Sequence, residues 1–405
     1  MGMRVGIVGC GTAGQAAALF LARHGHGVTV FEQAPTLGPV GAGLLLQPTG
    51  LWVLERLGVD RSILALASPV ESLLGTTHRG RRVLDVAYRD LREGLCGYGV
   101  QRSALSETLL GRMLAEGIRL ELGTRVCGPG PDGRTVVDSG GGRHGPFDLV
   151  VAADGGRSRF RACFPGLVRR DRPYSWGAVW AICDDADGRF DGVLRQVYRG
   201  TREMIGFLPS GRSGPGAPER VSLFWSLPTR EWPALLGGGV AGWKRRVRSL
   251  TDLAEPLLEQ IGSMERLIFA PYRDTVLRGS SHGRVVFLGD AGHSMSPQLG
   301  QGVNLALLDA AALADALAGA ASVEEALRAF DAARRRSTAF YSRASRWLTP
   351  VFQSRWDALA WPRDALLGAC CRFGPTRRQA LLALAGVKTG VLRSDALPDL
   401  GEERA

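Results

Sequence analysis

Val5-Gly6-Ile7-Val8-Gly9-Cys10-Gly11-Thr12-Ala13-Gly14-Gln15-Ala16-Ala17-Ala18-Leu19-Phe20-Leu21-Ala22 decides the fold of this chain. A short apolar run of buried-strand character leads into a glycine turn and then into helix-forming residues. A second apolar run, 28–31, ends in Glu32, close to the ~20-residue distance expected of a dinucleotide-binding βαβ unit. Each part has a task. Gly9 permits the tight turn, Gly11 lets a pyrophosphate approach the backbone, and Gly14 lets helix pack on strand. The helix start, with Thr12 and Ala13, offers unpaired N–H groups to phosphate. Glu32, followed by Gln33, is placed to accept from a ribose diol.

The rest of the composition bounds the answer. A chain of 405 residues exceeds the usual size of one core, so more than one domain is expected. The 45% hydrophobic and 22% charged content is that of a soluble globular protein, and neither a signal peptide nor a membrane span is expected. A cytoplasmic protein follows, with peripheral membrane contact disfavoured. Seven cysteines without a CxxC pair suggest neither a disulfide framework nor a metal site. The net charge of +11 is scattered arginine, with Lys244 and Lys388 the only lysines, so nucleic acid is not the expected partner. Part of the charge suits anionic cofactors.

Further along, residues 38–43 form a loop too glycine-rich for a core element, and Gly43 can bring backbone close to a flat ligand. A helix is expected over 49–57, and short strands over 73–77 and 82–87. Ser103 is expected to cap a helix to residue 114, with Arg102 at its entry, where a guanidinium reaches phosphate. The strand 148–152 runs into Asp154-Gly155-Gly156-Arg157-Ser158, a turn of ligand-facing type. Between 174 and 272 strand-like runs alternate with turn signals, predicting a mostly antiparallel sheet. Its aromatics Trp176, Trp180, Tyr198, Phe207, Phe224 and Trp225 suit either a core or an apolar wall beside a ligand. The strand 284–288 ends in Gly289-Asp290, and Pro297 with Gly300-Gln301-Gly302-Val303-Asn304 opens a long helix to residue 318. His293, with no nucleophile or metal spacing around it, is expected to be structural. Ser322-Val323-Glu324-Glu325 is a capping box for a helix to about residue 343, and the remainder is expected to form helices punctuated by Pro350 and Pro362.

Three motifs in this order resemble the single-component flavoprotein aromatic hydroxylases, the para-hydroxybenzoate and salicylate hydroxylase family. They are Gly9-x-Gly11-x-x-Gly14 with Glu32, then Asp154-Gly155-x-x-Ser158-x-x-Arg161, then Gly289-Asp290 with Pro297 and Gly300-Gln301-Gly302-x-Asn304. The resemblance implies that Glu32 holds the adenosine ribose of FAD, that Arg102 contacts the pyrophosphate and that Asp290 takes the ribityl chain. It also implies that residues 300–304 line the flavin ring, that Asp154 and Gly155 serve both FAD and NAD(P)H, and that Pro297 sits at the reaction site. Gly41 stands where some members carry an arginine linked to flavin movement.

The fold implied is α/β: a Rossmann-like, glutathione-reductase-type FAD domain, an inserted antiparallel substrate sheet and a C-terminal helical segment. The expected division is FAD domain over 1–72, 101–172 and 273–320, substrate sheet over 73–100 and 173–272, and C-terminal helices over 321–405. With one dinucleotide fingerprint, NADPH or NADH is expected as a transient visitor rather than a resident. By the resemblance, hydride reduces FAD, oxygen adds, and a flavin C4a-hydroperoxide delivers one oxygen atom to a small aromatic substrate. Arg195, Tyr198 and Tyr272 are candidates for assisting substrate deprotonation. A dehydrogenase or reductase of the same fold, without oxygen insertion, is the alternative. The assembly is expected to be a monomer or homodimer.

Overall fold

The apolar run Arg4–Val8 is a central strand of a six-stranded sheet in the computed structural model, whose described residues are 2–38 and 41–400. Pro39 and Val40, in the middle of the glycine-rich loop, lie outside the described residues. Across the sheet the order is Ser281–His282, Val285–Phe287, Leu149–Ala152, Arg4–Val8, Gly27–Phe31 and Arg119–Glu121. Every pairing is parallel except that of the short edge strand Ser281–His282. Parallel strands are buried on both faces, which explains why they read as unbroken apolar runs. One face is covered by the helix Thr12–Arg23, whose alanines allow close contact with the helix Gly302–Ala318.

A nine-stranded sheet forms the second layer. Its backbone order is Ile268–Leu277, Val168–Asp184, Arg220–Pro228, Glu203–Pro209, Gly192–Arg199, Ser68–Thr77, Gly97–Gln101 and Gly43–Leu46, with Arg82–Ala87 paired to Ser68–Thr77. All pairings are antiparallel except Gly192–Arg199 with Ser68–Thr77. Side chains alternate between its faces. Val197, Ile205, Phe207, Leu223 and Trp225 point to one side and are covered by helices between residues 232 and 259 carrying Trp243, Val247, Leu257 and Leu258. The other side carries Trp180, Gln196, Tyr198, Gly206, Ser222 and Phe224 and packs in part against residues 83–95 and the C-terminal helices, through Phe352, Leu367, Cys371 and Leu381.

Several elements differ from expectation. The second sheet takes in Gly43–Leu46 and begins its long strand at Val168, so it reaches further along the chain than 73–100 and 173–272. Ser103 does not cap; the helix Arg102–Ala115 follows Gln101, which makes no side-chain cap. The helices over 232–259 and a small antiparallel sheet over 126–144 were not foreseen, the former because their apolar spacing is interrupted by prolines and glycines. The helix expected to stop near Arg343 runs from Val323 to Phe352 through Pro350. Its inner face stays buried through Tyr341, Ser345 and Thr349, and that packing outweighs the one hydrogen bond that Pro350 cannot make. Its start behaves as the sequence implies, with Ser322 Oγ accepting the Glu325 N–H at 3.2 Å.

Candidate active site

Parallel register positions the site. Val8, Ala152 and Phe287 stand level in neighbouring strands, so segments 9–14, 153–158 and 289–293 leave the same edge of the sheet together. That carboxyl edge is where such sheets bind ligands. The segments touch one another. A Cβ on Gly9, at φ +102°, would lie 2.4 Å from the Ala153 carbonyl oxygen, and one on Gly289 would lie 3.2 Å from the Ala13 Cβ. A Cβ on Gly14 would strike the Gly9 carbonyl oxygen at 2.0 Å, so these two glycines are required by the protein's own packing. Gly11 differs: nothing lies within 4 Å of its missing side chain. With φ at −79° the backbone does not need glycine there either, so the space beside Gly11 is available to a ligand.

Around this loop the polar groups are arranged in part for themselves and in part for something else. The Glu32 carboxylate accepts the Cys10 N–H at 2.9 Å and the Ala34 N–H at 3.0 Å, tying the second strand to the glycine turn. Gln33 is exposed beside it, and Thr12 is half-buried in the first helical turn. Arg102 donates its backbone N–H to the Ala42 carbonyl at 3.1 Å, while its exposed guanidinium has no partner among the described residues. Asp154 accepts the Arg159 and Phe160 N–H groups through Oδ2, at 2.9 and 3.2 Å, and its buried Oδ1 is left without a partner. Gly155, at φ +79°, makes the turn that follows.

Behind the third segment lies a buried charged network. Asp309 Oδ2 accepts the Gly289 N–H at 2.8 Å and bonds His293 Nε2 at 2.6 Å, and Oδ1 accepts from Arg334 at 2.8 Å. Burial works against the Asp309 charge, but His293 and Arg334 outweigh it and hold the carboxyl at about 2. Burial likewise pulls His293 down, and the Asp309 charge and hydrogen bond more than reverse it, leaving the imidazole raised. His293 is thus an anchor for the Gly289 turn, while Asp290 stands exposed at the start of its own short helix.

Residues 300–304 divide their labour. Gly300, at φ +62°, ends the turn Pro297–Leu299, and exposed Gly302 opens the long helix. Val303 packs on the core. Asn304 is committed internally: its Oδ1 accepts the Gln47 N–H at 2.9 Å and its Nδ2 donates to the Leu45 and Gly300 carbonyls, both at 3.1 Å. Gln301 donates to the Leu384 carbonyl at 2.7 Å, joining this turn to the C-terminal helices. Its Oε1 is unpartnered, as are Thr49 Oγ1, Gln47 Nε2 and Gln101 Nε2, all buried. Buried polar atoms are ordinarily hydrogen-bonded, so these orphans, with Asp154 Oδ1, fit a ligand rich in donors and acceptors. The residues present therefore suit FAD: an open phosphate loop, a free guanidinium and unpaired polar atoms. The chain showed no sequence signal for Thr49, Gln47 or Gln101; only their burial reveals them.

The glycine-rich loop meets the face of the large sheet opposite its helix-covered core, at Ile182 and Ser222. Trp180 and Phe224 lie with ring centroids 5.0 Å apart, and the Phe224 ring crosses Gly206 so closely that a Cβ there would meet its Cζ at 2.1 Å. A Cβ on Gly41 would lie 3.3 Å from Ile182 Cδ1, which brings the glycine-rich loop onto this wall. Gly43 packs on Ser222 and Ser210, so its lack of a side chain serves the sheet. The Tyr272 hydroxyl is hydrogen-bonded to the Trp180 indole, and burial pushes its pKa up. Tyr198 is buried, its hydroxyl donating to Gln196 Oε1 at 2.5 Å and its ring covered by Phe352 and the Arg363 guanidinium. Arg195 is paired across the sheet with Phe207 and therefore points to the helix-covered side, away from this wall. The expectation that Arg195 assists the substrate is set aside on that geometry. Pro297 is exposed at the start of its turn.

The comparisons agree with this arrangement. Residues 2–345 match the family model described as FAD binding domain. The chain is 30% identical to salicylate hydroxylase of Pseudomonas putida, over 91% of this chain and 90% of that protein. It is 27% identical to a probable 2-heptyl-3-hydroxy-4(1H)-quinolone synthase of Rhodococcus erythropolis, over 80% of this chain and 82% of that one. Its fold matches Klebsiella pneumoniae HpxO complexed with FAD and uric acid, with a TM-score of 0.79 at 20% identity, covering 94% of this chain and 97% of that one. With the glycine loop, the Asp154 turn and the Gly289 turn converging on one cradle, the chain belongs to the FAD-binding-domain family and is an FAD-dependent monooxygenase of the aromatic-hydroxylase type.

Proposed function

We propose that this enzyme hydroxylates an uncharged, lipophilic aromatic compound held against the Trp180–Phe224 wall. The observation that carries the reading is the charge on that wall. On the four strands Val168–Asp184, Gly192–Arg199, Glu203–Pro209 and Arg220–Pro228, the middle positions on the Trp180 face carry no charge; Leu194, Tyr198, Met204 and Leu208 are covered by the C-terminal helices, and the partly exposed wall is Trp180, Ile182, Gln196 and Phe224. The charges at its rim, Asp184 and Arg220, are paired with each other at 3.1 Å. Arg363, over Tyr198, is committed to the Gly200 and Val351 carbonyls and to Asp364. A substrate carboxylate would enter without a counter-charge, which costs several kcal/mol.

Relatives act on both kinds of compound, as the names salicylate hydroxylase and heptyl-hydroxyquinolone synthase say. The wall favours the second kind. Bound FAD, reduced by NADPH or NADH, supplies the oxygen-activating chemistry. The protein's own contribution is binding, orientation and exclusion of water. Gly9, Gly11, Gly14, Thr12 and Ala13 present the phosphate cradle, Glu32 the ribose acceptor and Arg102 the phosphate cation. Asp290 serves the ribityl hydroxyls, and the backbone of residues 300–304 serves the ring. Tyr272, kept protonated by burial and held by Trp180, is assigned to hydrogen-bond a substrate hydroxyl, and the exposed Pro297 is assigned to the cofactor side. Tyr198, on the same sheet face but covered by Phe352 and Arg363, supports the wall.

The test compares matched neutral and carboxylated aromatics, such as a naphthol and the corresponding hydroxynaphthoic acid, with purified FAD-loaded enzyme. The neutral member is expected to have a kcat/KM higher by roughly 100-fold or more. Preference for the acid would refute the reading, and substrate oxidation without oxygen consumption would move the assignment to a dehydrogenase.

A further inference from the structure

The C-terminal helix Ala360–Arg372 is packed the wrong way round for a helix that meets only water on its outer side. Arg363 is buried and Cys371 is buried, while Trp361 is 76% exposed and Leu366 62% exposed. At 100° per residue, Trp361, Ala369 and Leu366 fall within an arc of about 140°, and Phe373, 62% exposed at the helix end, continues it. Arg363 is held inside by the Gly200 carbonyl at 2.9 Å and by Asp364 at 2.8 Å. Two more indoles flank this stripe in sequence: Trp356, 67% exposed, and Trp347, 70% exposed near the end of the preceding helix. The three indoles alone expose roughly 500 Å². Trp361, Leu366 and Phe373, on one arc of this helix, by themselves expose roughly 400 Å², the size of the largest apolar patch on an ordinary monomer.

We propose that this surface docks on an anionic lipid bilayer, lying in its interface without crossing it. Charge selects this occupant. Arg343, Arg355, Arg372 and Arg378, in the same stretch of chain, are exposed, and Arg372 falls on the Trp361 arc, whereas Asp357 is paired with Arg202 at 3.0 Å and Asp364 with Arg363 at 2.6 Å. A second copy across a two-fold axis would set these arginines against one another. Anionic headgroups instead attract them, and tryptophan favours the boundary between headgroup and hydrocarbon. Among the described residues no helix is long and apolar enough to span, so the contact is interfacial. This surface lies outside the catalytic cleft and the inference does not depend on the substrate reading. It reverses the sequence expectation that membrane contact is disfavoured.

The experiment is co-sedimentation of the full-length FAD-loaded protein with phosphatidylcholine vesicles, with and without ~30 mol% phosphatidylglycerol. Binding is expected to the anionic vesicles, with a blue shift of tryptophan emission and release at ~0.5 M salt. The double variant Trp361→Glu/Leu366→Glu should reduce the bound fraction about tenfold or more while flavin absorbance and melting temperature stay unchanged. Arg355→Ala/Arg372→Ala, which leaves the apolar stripe intact, should weaken binding to a lesser degree and flatten its salt dependence. No binding by the wild type, or equal binding by the variants, overturns the proposal. So does sedimentation velocity showing a dimer that Trp361→Glu/Leu366→Glu dissociates, since the patch would then be an interface between copies.

Discussion

The glycine loop at residues 9–14 and the sheet face around Trp180 are assigned ligands of different kinds, and their sequences specify them in different ways. In the loop the backbone does the binding, and side chains are excluded: Gly9 and Gly14 have no room for a Cβ, while Gly11 keeps a space clear. On the proposed wall side chains would do the binding, and what matters is which of two faces each residue occupies. The first kind of site is written in residue identity and spacing. The second depends on strand register, which a one-residue slip would invert.

The largest effect that separates the two should come from the glycines. Gly14→Val is expected to abolish FAD binding and lower expression of folded protein, because its Cβ meets the Gly9 carbonyl oxygen at 2.0 Å. Gly11→Ala should leave the melting temperature of the apoprotein unchanged to within ~0.5 kcal/mol of stability, yet weaken FAD at least about tenfold. Flavin titration beside thermal unfolding measures both, and a destabilised Gly11→Ala apoprotein would show that the open space is not reserved for a ligand.

Next in size is Asp309→Asn, which leaves Arg334 and His293 buried without their carboxylate and should cost ~3–5 kcal/mol. The pH dependence has two signs. Asp309 is depressed in the fold, so its contribution is complete above about pH 4 and is lost as pH falls toward its folded value of about 2. His293 is raised, so its contribution is complete below about pH 6.5 and is lost as pH rises through its folded value. The stability gap between wild type and Asp309→Asn should therefore narrow on the alkaline side, as urea denaturation at stepped pH will show. A constant gap from pH 6 to 9 would remove His293 from the network.

Smaller again, Asp290→Ala should weaken FAD by ~1.5–3 kcal/mol, more than His293→Ala does, because the exposed aspartate is assigned to the ligand and the histidine to the turn behind it. The reverse order would exchange those roles. The smallest pair lies on the wall. Tyr272→Phe should lower kcat/KM several-fold without loss of flavin, whereas Arg195→Ala, on the helix-covered face, should change it by less than about twofold. An Arg195→Ala effect equal to that of Tyr272→Phe would mean that the register argument is wrong.

How far the chain could be read follows the same division. The strands 4–8, 28–31, 149–152 and 285–287, the glycine turns and Glu32 were legible, because fully buried parallel strands and tight turns restrict residue type directly. The internal use of Asn304, the orphaned Thr49 and Gln101 and the orientation of Arg195 were not, because the first depends on the distant Gln47, the orphans on burial that only the fold creates, and the last on strand parity. The aromatic set was visible as a group but only register sorted it, sending Trp180, Tyr198 and Phe224 to one face, where Phe352 covers Tyr198, and Phe207 and Trp225 to the helix-covered core. Pro350 misled in the ordinary way, since tertiary burial outweighed its local penalty.

The most direct measurement supplies a neutral phenolic or quinolone substrate, NADPH or NADH and isotopically heavy oxygen to the purified yellow enzyme, and weighs the product. The account predicts one atom from molecular oxygen in each product molecule, a gain of about 18 daltons with the heavy isotope against about 16 with the ordinary one, in step with consumption of one reduced nicotinamide. A product that is oxidised but carries no label, across a panel that includes such neutral substrates, would contradict it.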